Sequence, residues 1–154
     1  MLVSIIGLVA LITGVLLALS FFSKSHLAPG NPSSRFRPCP DTPNCVCSLD
    51  INRDSYILPV KLDGDMKPST VDIKRVLVKM GGEIREEEGS YIWATFTSRV
   101  FRFVDDVEIM IDPASKVIQV RSASRAGRSD FGVNRARMEK LRSKLFQSTG
   151  RQIE

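Results

Sequence analysis

Residues 2–22, Leu-Val-Ser-Ile-Ile-Gly-Leu-Val-Ala-Leu-Ile-Thr-Gly-Val-Leu-Leu-Ala-Leu-Ser-Phe-Phe, carry no charged side chain. A run of that length is too long to be absorbed by the core of a small domain. At about 1.5 Å per helical residue it reaches across the roughly 30 Å hydrocarbon layer of a bilayer. The chain therefore reads as a transmembrane anchor at 1–23, a linker at 24–37, a folded domain at 38–148 and a tail at 149–154. The competing reading is a cleaved secretory signal, for which Ala18-Leu19-Ser20 offers a small-x-small site. Against it stand the length of the run and the lack of a basic residue ahead of it. The expected location is the membrane, with a single pass. Lys24, Arg35 and Arg37 behind the helix favour a cytoplasmic domain, while the cysteines pull the other way, so the side stays open.

The linker, with His-Leu-Ala-Pro-Gly-Asn-Pro-Ser-Ser, is too poor in apolar residues to bury a core and suits a spacer. Its end runs into Cys39-Pro-Asp-Thr-Pro-Asn-Cys45-Val-Cys47, which holds every cysteine of the chain. The two prolines and the Asp and Asn turn signals fold this backbone back on itself. A Cys39–Cys45 disulfide across the turn, in an oxidising compartment, is one reading. Reduced structural thiols are another, and a metal centre is the third. A zinc or iron–sulfur site needs about four ligands, and His26 and Asp41 are the only other candidates nearby. Neither a metal nor a cofactor is expected.

Charge is regional. Between Arg121 and Arg151 nine Lys/Arg face Asp130 and Glu139, a local +7 within a total of +5, so the remainder sums to −2. A basic stretch can meet nucleic acid or anionic lipid, but without interleaved aromatics and behind a membrane anchor it is a poor nucleic-acid binder. With His26 the only histidine, the sequence speaks against histidine-based acid–base chemistry and against a multi-histidine metal site.

The domain reads as mixed α and β. Ser55–Leu62 suggests a first strand with Pro59 at an edge. Pro68-Ser69-Thr70 starts a helix, Asp72 completes a capping box with Ser69, and Ile73, Val76, Leu77 and Met80 recur at helical spacing before Gly81-Gly82. Residues 83–87 and 91–97 form a β-pair turning at Glu88-Gly89-Ser90. Residues 102–112 and 116–125 form a second, closed by Pro113-Ala114-Ser115-Lys116. Its register follows from pattern. With Ile111 opposite Ile118, Ile109 faces Val120, Val107 faces Ser122, Glu108 faces Arg121, and Asp106 faces Ala123 within diagonal reach of Arg121 and Arg125. A one-residue slip wastes both the apolar and the ionic pairs. Asp105 then lies on the other face near Ser122 and Ser124. Asp130 caps a last helix over 131–147, whose Phe131, Asn134, Met138, Leu141 and Leu145 face the sheet, with Arg135, Arg137, Lys140, Arg142 and Lys144 covering the rest. The order β-α-β-β-β-β-α gives an α+β fold, an antiparallel sheet of about five strands with two helices on one face.

Cys39-Pro-Asp-Thr-Pro-Asn-Cys45, Phe101-Arg-Phe-Val-Asp-Asp-Val-Glu108 and the block from Arg121 to Arg137 resemble the signature stretches of the family catalogued as domain of unknown function 1499. The resemblance runs over residues 38–146 in matching order. It departs at Cys47, where most members compared carry serine, and at Arg128, where an aromatic is usual. It implies no activity, and it implies that Asp105, Asp106, Glu108, Arg121, Arg125, Asp130, Asn134 and Arg135 are a shared polar set.

Three functions compete for that set. The first is a membrane-anchored structural or interaction module, its Asp/Glu–Arg network fixing the hairpin against the last helix. The second is a binding module for an anionic or lipid-like ligand, held by Arg121, Arg125 or Arg135 between the sheet and the last helix. The third is a hydrolase-like enzyme using Asp105 or Asp106 as general acid or base. No Ser/His or Cys/His arrangement and no phosphate-binding glycine loop supports an enzyme, so the expectation leans to a non-enzymatic role, with any protein partner undefined.

Overall fold

The computed structural model describes residues 2–25, 36–51, 53–62 and 69–148. Most of the expected linker with His26 and Arg35, Pro68 ahead of the first domain helix, and the tail at 149–154 lie outside the described residues.

Helix α1 is Leu2–Ser25. Its window Ile5–Ser23 has a mean hydropathy of 2.7 and is 6% buried, so this helix is long and apolar enough to cross a membrane. Its last turn meets the domain. Ser20 and Ser23 are buried, and the Ser23 hydroxyl accepts the Val104 N–H at 2.7 Å and donates to the Val104 carbonyl at 3.3 Å.

The domain contains strands β1 (Cys45–Cys47) and β2 (Val60–Lys61), helix α2 (Thr70–Lys79), strands β3 (Glu83–Glu88), β4 (Tyr91–Thr97), β5 (Val104–Asp112) and β6 (Val117–Ser124), and helix α3 (Val133–Ser148). The α+β architecture is the one the sequence predicts, and the sheet is antiparallel. Its order is β1-β6-β5-β4-β3, with β2 also pairing β6. β1 adds a strand the sequence reading lacks, because three residues show no periodicity. The strand expected over 55–62 narrows to β2, with Tyr56 in a single parallel bridge to Cys47. β3, rich in glutamate, forms the far edge, and its pairing shifts register between Ile84 and Glu86.

Local signals act as expected in α2. The Ser69 side chain accepts the Asp72 N–H and Asp72 returns a bond to the Ser69 N–H, and these Ser69 hydrogen bonds hold the Asp72 carboxyl below its usual range. Gly81, at φ 93, turns the chain out of the helix. Gly82 lies where an added Cβ would come within 2.7 Å of the Phe96 ring, so the helix end and β4 approach closely only because it has no side chain. The β5–β6 register is the predicted one, Ile111↔Ile118, Ile109↔Val120, Val107↔Ser122, Glu108↔Arg121 and Asp106↔Ala123.

Both helices cover one face. Ile73, Leu77, Met138, Leu141 and Leu145 bury against Ile92, Val107, Ile109, Ile118 and Val120, the burial that dominates stability in a domain of this size. The other face is covered by the segment leading into β1. Phe36, Cys39, Cys45 and Cys47 pack there on Tyr91 and Ala123, with Leu49, Trp93 and Met110. Cys39 and Cys45 are joined in a disulfide, with Cα atoms 5.6 Å apart, and Cys47 is a buried free thiol.

One expectation about α3 is corrected. Phe131 does not face the sheet: it is 96% exposed, at φ 54 in the turn before the helix. Asp130 accepts the N–H groups of Gly132 and Asn134 at 3.0 and 2.8 Å, so the helix begins after Gly132. Asn134, not Phe131, is then the first residue of the inward stripe.

Candidate functional site

Alternation along β5 sends Asp106 and Glu108 to the face covered by the cysteine segment and Asp105 to the helix face. Two separate polar clusters result.

The first is a buried ladder of two carboxylates. Glu108, with 0% exposure, accepts the Tyr91 hydroxyl on Oε1 at 2.9 Å and the Arg121 NH1 on Oε2 at 2.8 Å. Burial pushes the Glu108 carboxyl above its ordinary value, against the opposing pull of the Arg121 charge and the Tyr91 hydrogen bond. Burial, with the neighbouring Glu108 charge, likewise raises the Tyr91 phenol. Asp106 is gripped on both oxygens by Arg125, Nε to Oδ2 and NH2 to Oδ1, each at 2.8 Å, and Oδ1 also accepts the Trp93 indole N–H at 2.8 Å. Arg125 lies 5.9 Å from the Trp93 ring centre, within cation–π range. Behind the ladder, Cys47 pairs across the strands with Arg121, and burial pushes its thiol up.

The second cluster joins the sheet to α3. Arg137 donates to Asp105 at 2.6 Å, to the Ser122 hydroxyl at 3.0 Å and to Asn134 Oδ1 at 2.6 Å, and covers the Phe96 ring at 4.8 Å. The Ser122 hydroxyl donates to the same Asn134 oxygen at 2.5 Å. The Asn134 amide nitrogen donates to the Asn44 carbonyl and to the Ser124 hydroxyl, both at 3.0 Å. One fully buried amide thus ties α3 to β6 and to the turn before β1.

Asp130 and Arg135 join neither cluster. Asp130 caps α3, and the Arg135 guanidinium donates to the carbonyls of Asp54 and Tyr56 at 3.0 and 2.9 Å. Both line an open groove of about 660 Å³ between the disulfide loop, residues 53–55 and the start of α3. Asp41 and Arg53, which form an ion pair, and Asp54 line it too, so its charge is mixed.

The sequence-selected residues therefore divide into the ladder Asp106, Glu108, Arg121 and Arg125, the helix cluster Asp105 and Asn134, and the groove pair Asp130 and Arg135. Asp105 and Asp106 point to opposite faces of the sheet, each held by its own arginine, Arg137 and Arg125. Sequence reasoning missed Tyr91 and Trp93, which register extended from β5 to β4 would have placed beside Glu108. It also set Arg137 among the covering cations, although its position three residues after Asn134 puts it at the rim of the inward stripe. No group of three or more His, Cys, Asp or Glu stands positioned to hold a metal among the described residues.

A family model described as "Protein of unknown function (DUF1499)" matches residues 35–145. No curated protein and no solved structure matches the chain.

Proposed function

We propose, for a chain that belongs to the DUF1499 family, that it is a single-pass membrane protein whose folded domain is a rigid structural or interaction module. The observation that carries this reading is that Asp105, Asp106 and Glu108 are each matched by their own arginine, Arg137, Arg125 and Arg121, at 2.6–2.8 Å. All six side chains are buried or nearly so, which leaves none of these three carboxylates free for substrate chemistry. Such networks fix geometry more than they add stability. The disulfide supports a domain on the oxidising side of the membrane.

The test is the stability of Asp106→Asn, Arg125→Gln and the double variant in detergent-solubilised full chain. Large single losses with a coupling above about 1 kcal/mol are expected of a structural network. Near-wild-type stability accompanied by a change in co-purifying ligand would overturn the reading. That second outcome would favour a binding module for a small anionic ligand. Its support is the groove beside Arg53 and Arg135, at the start of α3 and not between α3 and the sheet. Anchoring is tested separately: α1 should stay in the mature protein by mass, and the chain should remain with membranes after alkaline extraction.

A further inference from the structure

We infer that the loop between β4 and β5 is a second membrane contact, which docks the domain against an anionic phospholipid surface beside α1. The inference rests on the reading of α1 as a membrane span.

The geometry leaves little freedom. The apolar window Ile5–Ser23 has 19 residues, which rise about 28 Å as a helix against a hydrocarbon core of about 30 Å. With no charged residue from Leu2 to Phe22 and Lys24 directly behind it, Ser23 sits at the hydrocarbon boundary on the domain side of the span. Ser23 is hydrogen-bonded to both backbone groups of Val104 and buried against it, and Arg125 NH1 lies 3.5 Å from the Ser23 carbonyl. The first residue of β5 is therefore held at the level of the boundary. The loop that precedes it cannot stand far away.

The loop has the chemistry of that level. It is closed on itself by the Ser98 N–H to the Phe103 carbonyl at 2.8 Å and the Phe103 N–H to the Ser98 hydroxyl at 2.9 Å. Its tip, Arg99-Val100-Phe101-Arg102, puts Val100 at 78% and Phe101 at 39% exposure between two exposed arginines, with no acid among them. Arg102 holds φ 57, a left-handed conformation uncommon for a residue with a side chain. Apolar side chains flanked by arginines suit the interfacial zone, where rings and methyl groups enter the acyl boundary and guanidinium groups meet phosphate. Exposed in water, the same tip has no such partner.

The test uses full chain reconstituted into vesicles of phosphatidylcholine with phosphatidylglycerol, and of phosphatidylcholine alone. A fluorophore is attached under non-reducing conditions to Val100→Cys or, as control, to Ala114→Cys in the β5–β6 turn, about 27 Å away along β5. Quenching by shallow nitroxide-labelled lipid is expected at position 100 in the anionic vesicles and not at position 114. Arg99→Gln and Arg102→Gln should each weaken docking roughly fivefold, read as lost quenching. Equal quenching at positions 100 and 114, or quenching at 100 that is indifferent to both anionic lipid and the arginines, overturns the inference even while the chain resists alkaline extraction. Loss of the chain to the alkaline wash instead overturns the anchor reading, and this inference with it.

Discussion

Arg121 meets Glu108 through a single hydrogen bond, NH1 to Oε2 at 2.8 Å, while its own Nε is buried without a hydrogen-bond partner among the described residues. The pair is desolvated and not fully satisfied, so each charge relies on the other. Glu108→Gln or Arg121→Met alone should cost about 3–5 kcal/mol, because either leaves a buried charge uncompensated. The combined variant Glu108→Leu, Arg121→Met, Tyr91→Phe removes both charges and the hydroxyl, and should regain most of that loss. Denaturant unfolding of the full chain in detergent reads both, and a triple variant as unstable as the worst single one would contradict the argument.

Alkaline pH should weaken the fold through Cys47 and Tyr91. Burial raises both groups above ordinary values of 9.0 and 10.0, so above those values the unfolded chain gives up protons the folded chain keeps. Their contribution is complete below about pH 9 and is lost as pH rises, at up to roughly 1.4 kcal/mol per pH unit for each group. Cys47→Ala and Tyr91→Phe should each flatten the decline of stability above pH 9. An unchanged slope in both would show that neither proton is retained on folding.

The Cys39–Cys45 disulfide closes only a short loop, so reducing it should cost a moderate amount, about 2 kcal/mol by the chain-entropy relation. Thiol titration of unreduced, denatured protein should find one reactive group, and reduced protein three. Three thiols without reductant would remove both the bridge and the support it gives to an oxidising compartment.

Phe131 offers a sharp contrast with the core aromatics. Because it is exposed at φ 54, Phe131→Asn should leave stability unchanged or raise it by about 0.5–1 kcal/mol, where truncation of a buried phenylalanine costs about 3–5 kcal/mol. A large loss would mean that the ring packs against the domain in solution.

These residues show what the chain discloses about itself. The β5–β6 register was legible because apolar and ionic alternation agree on one pairing, and a slip of one residue ruins both. The α2 boundaries were legible because capping is local, from Ser69 to Asp72. Phe131 was misread because helical periodicity extends smoothly through it, while the Asp130 hydrogen bonds that delay the helix depend on the turn at Gly132. Arg137 and Asn44 were hidden for another reason. Their partners lie 32 and 90 residues away, Asp105 and Asn134, and single-residue chemistry carries no trace of such distances. The polar residues are visible one by one in the sequence, but their division between the two faces of β5 and the groove at the start of α3 follows only from knowing what covers each face.

One rim of the sheet is β3, and its chemistry opposes extension. A second copy approaching rim to rim would bring the glutamate-rich β3 against its own image, with Glu83 and Glu87 already paired to Arg85 and Lys74, along a strand whose register shift between Ile84 and Glu86 disturbs a flat hydrogen-bonding line. Like charges and a broken register both oppose strand addition. The other rim is built from the three residues of β1 and the two of β2, strands so short that they offer little length for a further strand to pair with.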